Sequence, residues 1–173
     1  MNFRFFALVV PAVVVAADQL TKWWATGVFD QPMNVCASDP GIRLTQEVSP
    51  VVDLALYCNQ GVSFGMLGGD SGPKRWALTL LAVTVCAFLV WTLRTTADRV
   101  SAWGLSLIIG GAVGNAIDRA LYGAVTDFVD ASDLHFNYVF NVADSAITVG
   151  VALLIWAAFR DWRAGRAAKV VED

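Results

Sequence analysis

The chain has 173 residues, of which 57% are apolar, 12% aromatic and only 16% charged, which is a membrane-protein composition. Its net charge of −3 provides no basic face to neutralise phosphates, so a nucleic-acid partner is excluded. Three cysteines without CxxC or Cys/His spacing argue against a zinc site or a redox dithiol. The length suits one membrane domain over residues 1–173, and we expect no cofactor or metal.

The first apolar segment covers residues 5–24. Its beginning, residues 5–17, also fits the core of a secretory signal with a cleavage point at Ala16-Ala17. Retention as a membrane span is favoured because the apolar pattern continues into two interfacial tryptophans. In addition, the amino-terminal region offers only Arg4 as a basic residue.

A long polar loop follows at residues 25–75. Its β-type segment at 51–57, followed by the turn sequence NQG, predicts a small strand-and-turn platform outside the bilayer. Cys36 and Cys58 both lie in this loop, so a disulfide between them is geometrically possible. The sequence leaves open whether that bond forms.

Three further apolar segments are long enough to cross a hydrocarbon core of about 30 Å. They cover residues 76–93, 100–117 and 139–159. Basic residues crowd the loop after the second span and the tail after the fourth, which assigns both to the cytoplasm. The sequence therefore predicts an all-α membrane protein with four transmembrane helices and cytoplasmic termini. The loops at 25–75 and 118–138 are then extracytoplasmic, and the first of them carries the small β-structured platform.

Three acidic residues, Asp18, Asp118 and Asp144, converge on one predicted membrane face. An ionisable group at membrane depth costs roughly 2.5–3.5 kcal/mol on insertion scales, so it persists for a function or with a partner. Asn115 precedes Asp118 by three residues and Asn141 precedes Asp144 by three, which places each amide near its carboxyl on a helix. A glycine-rich stretch before Asp118 permits close helix contact.

Asp118 and Asp144 are therefore predicted to form a water-activating pair. Two close carboxylates share a proton near neutrality. The ionised member takes a proton from the attacking water, and the protonated member donates to the developing oxyanion. A purely structural alternative remains open, in which Asn141 and Asp144 cap the fourth helix and Asp118 pairs with Arg119 at the headgroups.

Two other polar segments have structural and functional interpretations. Asp18 and Lys22 are spaced for an intrahelical ion pair, for which a structural role is favoured. Asn59 and Gly61 belong to a glycine-punctuated segment that also contains Ser63, Phe64 and Gly65. This segment is either a turn or a set of backbone donors that lie against a substrate.

Three rival functions use some of the same residues. A proton channel or small transporter also carries intramembrane acids, but the acids here cluster on one side instead of spreading across the bilayer. The second rival is a magnesium-type hydrolase that uses Asp127 together with Asp118 and Asp144. Loss of activity in the presence of a chelator would indicate it. The third is a Ser–Lys pair of Ser63 or Ser145 with Lys22. His135 is the only histidine, which disfavours Ser-His and Cys-His machinery.

Five ordered motifs resemble those of the bacterial lipoprotein signal peptidases, also called signal peptidase II. They are DQLTK at 18–22, NQGVSFG at 59–65, GGAVGNAIDR at 110–119, VTDF at 125–128 and FNVADS at 140–145. Any one motif alone is weak, but their order and spacing agree over most of the chain. Residues 31–50 match no motif of that family.

The resemblance implies an aspartic endopeptidase that cleaves prolipoproteins just before a diacylglyceryl-modified cysteine. It places the enzyme in the bacterial inner membrane, with its active site at the extracytoplasmic face and Asp118 and Asp144 as the catalytic dyad. Inhibition by globomycin-type compounds, contact with membrane lipids and a surface helix beside the platform are further implications, and we expect a monomer. The residues implied to shape or stabilise the site are Asp18, Lys22, Asn59, Gly61, Asn115, Arg119, Asp127 and Asn141.

Overall fold

The computed structural model describes residues 2–3, 5–61, 71–134 and 138–172 of the chain. Ser63, Phe64, Gly65 and His135 lie outside these described residues. Long helices and one small antiparallel sheet account for most of the described backbone. The predicted fold class is therefore confirmed.

Four long apolar helices form the body of the molecule. A π-helical turn at Phe5–Val9 leads into α1 at Val10–Val28; the short α2 spans Val35–Ser38, and α3, α4 and α5 span Ser71–Thr95, Arg99–Tyr122 and Val142–Glu172. In the described part of the chain, four segments are long and apolar enough to cross a membrane. The most apolar part of α4 is 56% buried against 17–28% for the other three. Helix α4 is therefore the central helix.

The ends of α4 are set by local sequence signals. Asp98 accepts hydrogen bonds from the backbone N–H of Ser101 at 2.8 Å and from its hydroxyl, which satisfies a free donor at the helix start. These bonds lower the pKa of Asp98 to about 2. The helix ends at Gly123, whose φ of 85° is the left-handed conformation that favours glycine.

The sheet stands at the end of the bundle where α4 finishes and α5 begins. Its strands are β1 at Arg43–Gln46, β2 at Asp53–Asn59, β3 at Val125–Asp130 and β4 at Val139–Phe140, paired antiparallel in that order. Because Val139 and Phe140 pair with β3, α5 begins at Val142 and not at the predicted residue 139. The predicted β-structured platform is present.

Glycines allow the backbone of α4 to approach the neighbouring helices α1 and α5 closely. A Cβ added at Gly110 would lie 2.7 Å from the Cβ of Val14 in α1, and one at Gly111 would meet the carbonyl of Ala143 in α5. Further along the same interface, Gly104 and Gly150 face one another across α4 and α5. This arrangement confirms that the glycine-rich stretch permits close helix contact, as small residues do in membranes.

Replacing Gly150 with alanine should loosen the α4–α5 interface. The new methyl would stand 2.7 Å from the carbonyl oxygen of Gly104 and 2.7 Å from Cγ1 of Ile108, and such overpacking costs about 1–3 kcal/mol. Thermal unfolding of the purified protein in detergent measures the effect. Gly27→Ala is the matched control because nothing lies within 4 Å of its added Cβ; equal stability of the two variants would contradict the close contact.

Candidate active site

A lysine buried between two carboxylates anchors the polar cluster where the helices meet the sheet. Lys22 Nζ lies 2.8 Å from Asp18 Oδ2 and 2.8 Å from Asp118 Oδ2, with side-chain exposures of 0–1% for all three. Asp18 and Lys22 are one turn apart on α1, as the spacing predicted. The ion pair also reaches α4, so it fixes α1 against the helix that carries Asp118.

Both carboxylate oxygens of Asp118 are occupied. Its Oδ1 accepts a hydrogen bond from Gln19 at 2.9 Å, while its Oδ2 receives the backbone N–H of Thr126 at 3.1 Å besides the lysine. Because one acceptor joins α1, α4 and the start of β3, Asp118 acts as a structural junction. Gln19 and Thr126 were not predicted as site residues, although both stand within the recognised motifs.

Asp18 supports the start of α5. Its Oδ1 accepts the backbone N–H of Ala143 at 3.0 Å, one of the helix-start donors that lack an intrahelical partner. A Cβ on Gly114 would come within 2.7 Å of Asp18 Oδ2. Glycine at that position therefore makes room for the carboxylate between α1 and α4.

Asp127 on β3 is fully buried and held by two amides. Asn59 Nδ2 donates to its Oδ2 at 2.9 Å, and Asn141 Nδ2 donates to its Oδ1 at 2.6 Å. Burial, and next the negative charge of Asp144, raise the pKa of Asp127 to about 7, while the two amide hydrogen bonds oppose that rise. Asp127 can therefore hold or release a proton near neutral pH.

Asp144 lies in the first turn of α5 and is only partly buried. Asn141 Oδ1 accepts the backbone N–H of Asp144 at 2.9 Å, and Asp144 Oδ2 accepts the backbone N–H of Asn141 at 3.4 Å, which is a reciprocal capping pair. Asn115 Nδ2 donates to the other oxygen of Asp144 at 2.8 Å. The capping part of the structural alternative is thus present, whereas Asp118 forms its ion pair with Lys22 and not with Arg119.

The remaining predicted site residues surround these carboxylates. The guanidinium of Arg119 acts electrostatically on Asp144, Asp127 and Asp118, and its buried Nε has no hydrogen-bond partner among the residues that the structure describes. Gly61 has a φ of 72° and donates its N–H to Asn59 Oδ1 at 2.9 Å. This turn orients the amide of Asn59 toward Asp127.

An open cavity of 370 Å³ adjoins Asp144. Its other lining residues are Tyr138, Phe140, Ser145, Thr148 and Val149. The lining is mostly apolar, and Asp144 stands at its edge. A substrate chain with apolar groups can therefore reach the carboxylate from the side of the bundle.

The ten predicted site residues converge at one end of the molecule. Asp118 Oδ2 is paired with Lys22 Nζ at 2.8 Å, whereas Asn141 contacts both other carboxylates, donating its amide to Asp127 at 2.6 Å and its backbone N–H to Asp144 at 3.4 Å. The motif resemblance implies that Asp127 shapes the site, and the magnesium-type alternative makes it a metal ligand. Asp127 lies on the short strand β3, so no helical spacing in the sequence indicates its position in the site.

Removing the buried cation should destabilise the fold. In Lys22→Met two carboxylates stay buried without their counter-charge, which costs about 3–5 kcal/mol. Equilibrium unfolding in detergent measures this loss. The double variant Lys22→Met/Asp118→Asn should recover part of the stability because one negative charge is removed with the positive one; a double variant no more stable than the single one would contradict the charge-balance explanation.

Comparisons with known proteins agree with the motifs. The family model for signal peptidase (SPase) II matches residues 10–160. A lipoprotein signal peptidase of Polynucleobacter necessarius is 37% identical over 159 residues, covering 91% of this chain and 90% of the relative. One from Caulobacter vibrioides is 41% identical over 157 residues, covering 90% and 87%. A 1.9 Å structure described as a bacterial membrane enzyme matches with a TM-score of 0.71 at 30% identity, covering 90% of this chain and 93% of that one.

Proposed function

The chain belongs to the signal peptidase II family of membrane peptidases, and on that premise we propose that Asp127 and Asp144 are its water-activating pair. The proposed reaction removes the signal peptide from diacylglyceryl-modified prolipoproteins by cleaving before the lipid-modified cysteine. The observation that carries the assignment is that Asn141 contacts both carboxylates at the β3–α5 junction: its side-chain amide donates to Asp127 Oδ1 at 2.6 Å and its backbone N–H donates to Asp144 Oδ2 at 3.4 Å.

The two carboxylates have environments suited to different roles. Asp127 is buried and has a pKa of about 7, so it carries the shared proton and donates it to the oxyanion that forms at the scissile carbonyl. Asp144 borders the cavity and, in its ionised form, removes a proton from the attacking water. This division follows the general rule that paired acids separate into one acid and one base according to environment.

Asp118 is assigned a positioning role. Its oxygens are bonded to Gln19, Lys22 and the Thr126 backbone, and these contacts join α1 and β3 to α4. The Thr126 contact fixes the residue directly before Asp127. The sequence-based pair of Asp118 and Asp144 is therefore replaced by Asp127 and Asp144 in this proposal.

The substrate's position follows from the cavity and from the distribution of charge. The apolar cavity beside Asp144 receives the lipid-modified segment, and globomycin-type inhibitors would compete for it. The sheet end of the bundle faces the extracytoplasmic side, because basic residues such as Arg94 and Arg99 stand at the opposite end. The chain then acts as a monomer in the bacterial inner membrane, with both termini in the cytoplasm.

Cleavage of a diacylglyceryl-modified prolipoprotein by the purified chain in detergent tests this proposal. Asp127→Asn and Asp144→Asn should lower kcat by at least about 10³-fold, because each removes a proton-transfer group from the transition state. Asp118→Asn should lose stability but keep much more activity than either. An unlipidated substrate should be cut poorly, and EDTA should have no effect.

Two results would overturn parts of this assignment. If Asp118→Asn is inactive while folded and Asp127→Asn retains near-normal activity, the dyad is the one that helical spacing suggested. If EDTA abolishes cleavage by the wild type, a metal-assisted hydrolase replaces the aspartic mechanism. Both readings need the thermal unfolding of each variant, so that inactivity is not confused with loss of fold.

The pH dependence provides an independent check on Asp127. Because Asp127 acts in its protonated form, kcat/KM should fall as the pH rises through about 7. Asn59→Ala removes a hydrogen bond that lowers the pKa of Asp127, so the basic limb should move to higher pH. The control is Gln60→Ala, whose exposed side chain donates to the Pro40 carbonyl at 3.3 Å; an equal shift in both variants would contradict the role of Asn59.

A further inference from the structure

A disulfide connects α2 to the strand pair β2–β3, which includes Asp127. Cys36 in α2 and Cys58 in β2 are joined, with their Cα atoms 5.5 Å apart and 22 positions apart in sequence. Both cysteines are 2–3% exposed and pack with Val35, Leu56 and Ala124 in one apolar cluster. The bond therefore ties the stretch that matches no family motif to β2, one of the two central strands of the platform.

The strand register places this crosslink next to the site. Cys58 is paired with Thr126 across β2 and β3, and the Cys36 sulfur lies 3.6 Å from the Thr126 hydroxyl. The next residue after Cys58 is Asn59, which donates to Asp127; the residue before Asp127 is Thr126. Cys58 and its strand partner Thr126 are thus the immediate chain neighbours of the two residues that form the Asn59–Asp127 hydrogen bond.

Thr126, the strand partner of Cys58, also forms hydrogen bonds with other groups of the site. The Thr126 N–H donates to Asp118, and its carbonyl accepts from Asn141 at 3.4 Å, the amide that also holds Asp127. A shift of β2 against β3 would therefore disturb both amides on the Asp127 carboxylate. The register between these strands is already irregular between Leu54 and Tyr57, so the ladder alone gives weaker control there.

We propose that the Cys36–Cys58 disulfide is a positioning element for Asp127, acting through the Asn59 amide. This inference rests on the proposed function of Asp127. Without the crosslink, α2 separates from β2 more easily and Asn59 spends less time against the carboxylate. The expected consequences are slower chemistry and a displaced pH profile with little change in substrate binding.

The test compares Cys36→Ala/Cys58→Ala with Cys86→Ala, which removes the free thiol of α3. In the first variant kcat should fall by about 10- to 100-fold, the size of effect that small misplacements of a reacting group produce. Its KM should stay within about twofold, and the basic limb of kcat/KM should move to higher pH, in the direction expected for Asn59→Ala. Cys86→Ala should behave as wild type in all three measurements.

A double-mutant cycle distinguishes positioning from a general loss of stability. If the disulfide acts through Asn59, adding Asn59→Ala to the alanine pair should produce little further shift of the pH limb. Val35→Ala loosens the same apolar cluster without cutting the bond, so it should lower thermal stability and leave the limb in place. A limb that moves equally in Val35→Ala would overturn the proposal.

The remaining outcomes are also decisive. Cys36→Val/Cys58→Val restores apolar volume if the alanine pair does not fold, and failure of both pairs to fold would show that the bond serves folding alone. An unchanged kcat and pH limb in a folded disulfide-free variant would likewise overturn the inference. Neither result touches the proposed function, which is tested separately by cleavage of the lipidated substrate by folded Asp127→Asn and Asp144→Asn and by the effect of EDTA.

Discussion

The burial of one cation among carboxylates at membrane depth is the constraint on which the site depends. Lys22 has no exposed side-chain surface and meets Asp18 and Asp118 at 2.8 Å each, so none of the three can change position without leaving an unpaired buried charge. This requirement sets where α1 meets α4. Through Asp18 and the Ala143 N–H, it also sets where α5 begins.

Asn141 links this ion-paired cluster to the other two carboxylates, Asp127 and Asp144. It caps α5 by accepting from the Asp144 N–H, while its amide nitrogen donates to Asp127 on the sheet. One buried side chain therefore joins the start of a membrane helix to the middle of the platform. Buried polar networks of this kind are rigid when every member is satisfied, which suits a site that must hold two acids at a fixed separation.

The two groups of carboxylates differ in their partners, and this difference underlies the proposed division of roles. Asp118 lies against the buried ammonium of Lys22 at 2.8 Å. Asp127 is held by the neutral amides of Asn59 and Asn141, and burial, followed by the negative charge of Asp144, raises its pKa to about 7. Asp127 is therefore the carboxyl group that we propose as the proton donor.

Much of this protein can be predicted from its sequence, because length, apolar content and basic residues define membrane spans locally, and the motif order defines the family. The ion pair of Asp18 and Lys22 was likewise predictable from their spacing within one helix. The proposed pairing of Asp127 with Asp144 could not be predicted in this way, because helical spacing indicates Asp118 and Asp144, whereas Asp127 reaches the site through the pairing of β3 with β2. The Cys36–Cys58 bond was undecided for the same reason: whether two distant residues meet depends on the tertiary fold, since spacing along the chain does not fix separation in space.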